Sequence, residues 1–218
     1  MQRMKKILLN IAFTIFCSCL FAQNYTLSDD NSEVGFLIKN FGVEVRGSFK
    51  GLKGRIAFNP TDFSAFAISG SVDAASINTG IELRDHHLRK EAYFNVAKYP
   101  LINFVSTSIT NSTKTGTFVV AGNITIKGIT KKISFPFTIT PKGADYVLAG
   151  EFQIDRIDYG VGGKSMVLSD NLTVYISVLA KKASKQNAIS PNQVHGDFLL
   201  SGKYKHRVHM NVCSCCGV

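Results

Sequence analysis

Between Asn24 and Lys181 apolar and polar side chains alternate with period two in one segment after another. This spacing sends successive side chains to opposite faces of a strand. The apolar sets include Val34, Phe36 and Ile38; Val43, Val45 and Phe49; Phe66, Ile68 and Val72; Phe118, Val120, Ile124 and Ile126. They continue through Ile133, Phe135, Phe137 and Ile139; Leu148, Phe152 and Ile154; and Leu172, Val174, Ile176 and Val178. Strands that are dry on one face belong to antiparallel sheets, because parallel sheets are covered on both faces and read as unbroken apolar runs. The glycine-bearing strings Gly51-Leu52-Lys53-Gly54, Lys127-Gly128-Ile129-Thr130 and Pro141-Lys142-Gly143-Ala144-Asp145 predict tight hairpin connections. Gly47, Gly70, Gly122 and Gly150 fall inside strands, where a sheet can bulge or coil as closure requires. The expected fold is an all-β antiparallel barrel of about eight strands, with a two-sheet sandwich as the alternative.

One segment breaks the alternation. From Thr79 to Phe94, Ile81, Leu83, Leu88 and Tyr93 mix with charged residues without strict alternation, and Thr79 or Gly80 can cap, which predicts a short helical excursion over about 80–94. Pro100 then restores extended structure before Leu101.

The 25 Lys and Arg against 15 Asp and Glu leave a formal charge of +10, which invites a nucleic-acid reading until the charge is located. Residues 1–22 hold +3 through Arg3, Lys5 and Lys6, residues 23–180 hold +2, and residues 181–218 hold +5. The body of the chain is nearly neutral, so no nucleic-acid partner is expected. The basic start, the apolar run Ile7 to Phe21 and the small Ala22 read as a cleaved secretory signal over residues 1–22, with lipid attachment at Cys19 as the alternative. Export is therefore expected. Cys17 and Cys19 lie in that segment and Cys213, Cys215 and Cys216 near the end, so residues 23–180 offer no disulfide, thiolate metal site or catalytic cysteine. Residues 182–218 lose the pattern and read as a largely disordered basic tail. Its His206, His209, Cys213, Cys215 and Cys216 could hold zinc or copper(I), or could simply be an unpaired tail.

An eight-stranded barrel is either filled by its own side chains or just wide enough for one small ligand. Twelve of the sixteen Phe lie between residues 36 and 152, which fits a packed core and an apolar pocket alike. The densest ionisable cluster, Arg84-Asp85-His86-His87-Leu88-Arg89-Lys90, could supply the acid and base of a hydrolase or isomerase, yet neighbouring helical side chains point about 100° apart. Glu82 and His86 have metal-ligand spacing, but two ligands do not make a site. The same cations could pin the helix across the barrel mouth or meet the polar head of a lipid.

Several strings carry a resemblance. Ser76-Ile77-Asn78-Thr79-Gly80, Arg84-Asp85-His86-His87-Leu88, Tyr93-Phe94-Asn95, Tyr99-Pro100-Leu101-Ile102-Asn103-Phe104 and Ile124-Thr125-Ile126-Lys127-Gly128-Ile129-Thr130-Lys131 follow one another as in the YceI-like family of bacterial periplasmic proteins. Ser32-Glu33-Val34-Gly35-Phe36, Val45-Arg46-Gly47-Ser48-Phe49 and Arg156-Ile157-Asp158-Tyr159-Gly160 match in the same order, so the resemblance covers about residues 24–181. It implies a lipocalin-like barrel that binds a long isoprenoid, a polyprenyl phosphate or quinone, in transport, storage or protection and without catalysis. The expected lining is Phe36, Ile38, Phe49, Phe66, Ile68, Phe104, Phe118, Phe135, Phe137 and Phe152, with Arg84 and His87 at the polar head. No cofactor is expected, transient membrane contact is, and a homodimer is left open.

Overall fold

The computed structural model describes residues 23–59 and 66–183. Nine strands run in chain order: β1 (Gln23–Leu27), β2 (Glu33–Asn40), β3 (Val43–Phe58), β4 (Ala67–Asn78), β5 (Leu101–Asn111), β6 (Thr117–Ile126), β7 (Ile129–Lys142), β8 (Asp145–Asp155) and β9 (Leu168–Lys182). A seven-residue helix, α1 (Glu82–Leu88), follows β4, and a 3-10 turn (Ile157–Tyr159) follows β8.

All neighbours are antiparallel, and β3 pairs with β4 to close the sheet on itself. A closed barrel therefore replaces the sandwich alternative. Nine strands fill eight positions, because β1 and β2 share one. The second half of β3 pairs with β1 and its first half with β2, while β9 pairs with both in the same way. The chain between β1 and β2 is held to β3 by Asp29, whose carboxylate accepts hydrogen bonds from the amides of Gly51 and Leu52, both at 2.8 Å.

That contact marks a departure from the sequence reading. Gly51-Leu52-Lys53-Gly54 is not a hairpin turn; it lies within the sixteen-residue β3, at a register irregularity against β4. Gly51 takes φ +75°, a left-handed value that L side chains rarely adopt. The irregularity shifts the inward face from Phe49 to Leu52 and Ile56, three residues on instead of two. The other two turns form as expected: Lys127-Gly128 joins β6 to β7, and Gly143-Ala144 joins β7 to β8. In β6 the alternation is complete, with Phe118, Val120, Gly122, Ile124 and Ile126 all buried.

The helical excursion is shorter than expected. Helix α1 stops at Leu88, and turns carry the chain to Pro100. Its N-cap is Ile81, which provides no side-chain cap; neither Thr79 nor Gly80 holds that position. Residues 1–22, with Cys19 and the expected signal, and residues 184–218, with the His and Cys considered for metal, lie outside the described residues.

Candidate ligand-binding cavity

The hairpins β6–β7 and β2–β3, helix α1 and the 3-10 turn lie at one end of the barrel, and the end of β3, the start of β4 and the connections after β5 and β7 lie at the other. The second end is plugged by aromatic rings. Tyr25, Phe58, Phe66 and Tyr146 pack with centroids 4.9–6.4 Å apart, and Phe66 also meets Phe118 and Phe137 at 5.8 and 6.0 Å.

Above this plug the interior is hollow. A cavity of about 780 Å3 runs up the barrel axis, within the usual range for a small-molecule site. Ile56, Phe137 and Leu148 form its floor, and Phe36, Phe49, Phe104, Phe135 and Phe152 its wall. The reading of a core filled by its own side chains does not hold.

Of the twelve residues expected at the site, ten line this cavity: Phe36, Ile38, Phe49, Ile68, Arg84, His87, Phe104, Phe135, Phe137 and Phe152. Phe66 and Phe118 do not. Both are buried, but Phe66 just before β4 and Phe118 near the start of β6 stand at the lower end and are spent on the plug, with Phe137 bridging plug and cavity. Alternation reports which face a residue occupies and says nothing about its height along the barrel.

The mouth is half covered. Tyr93 and Phe94, from the turns after α1, pack with Tyr159 and Val161 over Ile124, Ile126 and Ile154. Backbone bonds stitch this cover together: Gly162 donates to the carbonyl of Ala92 at 2.9 Å, and the Lys127 ammonium donates to the carbonyl of Gly160 at 2.6 Å. Arg156, only 4% exposed, holds the segment that follows. Its guanidinium donates to the carbonyls of Ser169 and Val161 at 2.9 and 3.0 Å and to the Asp170 carboxylate at 2.9 Å. A buried cation is tolerable when its donors are satisfied in this way.

Helix α1 sets the polar groups of the mouth in a chain. The Arg84 Nε donates to the Thr79 hydroxyl at 2.7 Å, and Nη2 donates to the Thr79 carbonyl at 2.8 Å. The Thr79 hydroxyl donates in turn to Asp85, which also accepts the Thr79 amide at 2.9 Å. Asp85 is 3% exposed and serves to orient Thr79, and through it Arg84. Nη1 of Arg84 has no hydrogen-bond partner among the described residues, and Arg84 is one of the residues that line the cavity.

The expected Asp-His cluster is not assembled. Asp85 is buried against Thr79 while His86 and His87 are exposed, and among the described residues no hydrogen bond joins them. Thr79 stands between Asp85 and Arg84, which share no ion pair among the described residues. Among the described residues no group of three His, Cys, Asp or Glu is placed to hold a metal ion.

Sequence reasoning overlooked part of the lining. Leu172, Val174 and Ile176 carried the alternation signal but were passed over in favour of phenylalanines. Tyr93, Phe94, Tyr159 and Val161 are brought over the mouth by irregular segments that no periodicity could locate, and Lys164 reaches it from a loop with no sequence signal at all. The cavity lining contains Arg84, Arg156 and Lys164 and no carboxylate.

The family described as the YceI-like domain matches residues 25–180. Protein YceI of Salmonella agona is 32% identical over 152 residues, covering 65% of this chain and 76% of its own. Among solved structures, Burkholderia cenocepacia BcnA is similar with a TM-score of 0.67 at 24% identity, over 70% of this chain and 98% of its own. A polyisoprenoid binding domain from Saccharophagus degradans, implicated in plant cell wall breakdown, is similar with a TM-score of 0.60 at 18% identity, over 75% of this chain and 99% of its own.

Proposed function

The chain belongs to the YceI-like domain family, and from that membership and the chemistry of its cavity we propose that it is a non-enzymatic carrier or store for a long-chain isoprenoid lipid of the polyprenyl phosphate or quinone type. The observation that carries this reading is the 780 Å3 cavity, walled by phenylalanines and aliphatic side chains and edged by cations without a carboxylate. Burial of a hydrocarbon chain there is worth about 25 cal/mol per Å2 of apolar surface. The polyisoprenoid binding described for the Saccharophagus degradans domain of the same fold supports the same ligand class.

Size refines the proposal. At about 30 Å3 per heavy atom, the share of a water molecule in the liquid, the cavity takes roughly 25 atoms, or about five isoprene units. A C30–C40 chain would enter tail first, stop on Ile56, Phe137 and Leu148, and leave its head and last units at the mouth. Arg84 and His87 are assigned to the head group. The planar guanidinium of Arg84, turned by Thr79, suits the oxygens of a phosphate.

Titration with a fluorescent polyprenyl phosphate and with a quinone of equal chain length tests the assignment. Both should bind, and Arg84→Gln should weaken the phosphate by about tenfold, the loss of one charge-assisted hydrogen bond, while sparing the quinone. Equal weakening of the two would remove Arg84 from the head-group role, and no binding of either would remove the lipid reading.

We also propose that the protein acts in the periplasm after loss of residues 1–22, supported by Arg3, Lys5 and Lys6 ahead of the apolar run. The intact mass of the mature protein distinguishes simple cleavage from lipid attachment at Cys19.

A further inference from the structure

Apolar side chains left in water gather around the opening of the cavity. Of the nine large hydrophobic residues exposed among the described residues, six border the mouth: Phe41, Val43, Ile81, Leu83, Met166 and Val167. Phe41 and Leu83 are both 76% exposed, Val43 67%, and Met166 fully so. They come from three separate segments: the β2–β3 hairpin, the start of α1 and the loop before β9. The amide of Phe41 donates to the carbonyl of Val167 at 2.8 Å, which ties the first segment to the third, and Ile81, Leu83 and Val167 continue into the cavity lining.

The cavity opening is lined by cations and by no carboxylate. Glu82 is paired with Arg89 at 3.1 Å, and Glu44, the register partner of Lys39, lies outside the lining. Arg84 and Lys164 line the opening, and neither has an ion-pair partner among the described residues. Protruding apolar tips beside unmatched cations form a surface suited to the boundary of an anionic bilayer, where apolar groups sink among the acyl chains and cations stay with the head groups.

We propose that the mouth is a membrane-docking surface, with Phe41, Val43, Leu83 and Met166 inserted into the bilayer interface and Arg84 and Lys164 on anionic head groups, so that cargo passes between bilayer and cavity without crossing water. The docking itself needs no cargo; the passage of cargo rests on the lipid-carrier reading. A ligand longer than the cavity, with its head at the rim, would be handed over at the same surface.

The test separates the two. Phe41, Val43 and Met166 do not line the cavity, so a Phe41→Ser/Val43→Ser/Met166→Ser variant removes the tips and spares the interior. Purified protein is sedimented with phosphatidylcholine vesicles containing phosphatidylglycerol and free of isoprenoid. The native chain should bind, and the variant should bind on the order of a hundredfold less, given the apolar area it withholds, while its melting temperature and its uptake of polyprenyl phosphate from dilute detergent are unchanged. The chain has no tryptophan, so Met166→Trp adds a single fluorophore, whose emission should shift to the blue on vesicles. Equal vesicle binding by variant and native chain, or no blue shift, would overturn the proposal. So would a rim that instead joins two copies, seen as a dimer that the triple substitution splits while vesicles are ignored. Vesicle binding without any uptake of cargo would uphold docking and count against the carrier reading.

Discussion

Phe36 on β2 lies against Gly47 on β3. The two are register partners, and a Cβ placed on residue 47 would fall 2.3 Å from the tip of the Phe36 ring. The ring can lie along the wall only because its partner has no side chain, and the same holds for Phe104 over Gly122, where the distance would be 2.6 Å. These glycines keep the lumen open.

Gly47→Ala should therefore push Phe36 inward. An overpacked site of this kind costs about 1–3 kcal/mol, and the displaced ring would occupy volume that the proposed ligand needs. Thermal melts and binding stoichiometry should both fall, and Phe36→Leu in the same chain should restore them. Unchanged uptake by Gly47→Ala alone would show that the pairing does not set the free volume.

Asp85 should act on the mouth at one remove. Asp85→Ala removes the acceptor of the Thr79 amide and hydroxyl, at a cost of about 1–3 kcal/mol for the buried groups left unmet. It should also weaken phosphate-bearing ligands more than quinones, since Arg84 loses its orientation. A variant that melts lower but discriminates head groups as before would confine Asp85 to holding the helix.

Breaking the anchor under the mouth should be more severe. Arg156→Met strips the carbonyls of Val161 and Ser169 of a donor and leaves Asp170 unpaired, for a loss of about 3 kcal/mol. Chemical denaturation measures it; a loss below that of an ordinary surface substitution would mean that the segment is held by other contacts.

Stability should decline in alkali. Burial, with smaller contributions from Tyr146 and Asp145, pushes the Tyr25 phenol above its usual range, and burial beside Asp158 does the same for Tyr159. The unfolded chain then releases these protons first, at about pH 10. The stabilisation is whole below that pH and is lost as pH rises through the folded values. Tyr159→Phe should flatten the decline above about pH 10, and a melting curve that keeps the native slope would rule out this tyrosine as a cause.

The barrel was legible because its one dry face writes period two into each strand, and because Lys127-Gly128 and Gly143-Ala144 are turns that only a hairpin needs. Gly51-Leu52-Lys53-Gly54 misled for a physical reason. A glycine-flanked string looks alike in a turn and in a bulge, and what decides here is Asp29, some twenty residues away, binding the Gly51 and Leu52 amides. The cavity wall was legible from the inward phenylalanines; the line between its floor and the plug below was not. Phe66 and Phe118 differ from Phe104 and Phe135 only in height, which is set by strand stagger. The cover formed by Tyr93 and Tyr159, and the role of Thr79 between Arg84 and Asp85, depend on irregular backbone with no period to read.

If the hollow of this barrel holds an isoprenoid, organic extraction and mass spectrometry of the protein purified from its native host should recover a polyprenyl phosphate or quinone near one molecule per chain, reduced in the Gly47→Ala variant. Protein recovered free of isoprenoid, and unable to take up added polyprenyl phosphate or quinone, would contradict the isoprenoid reading.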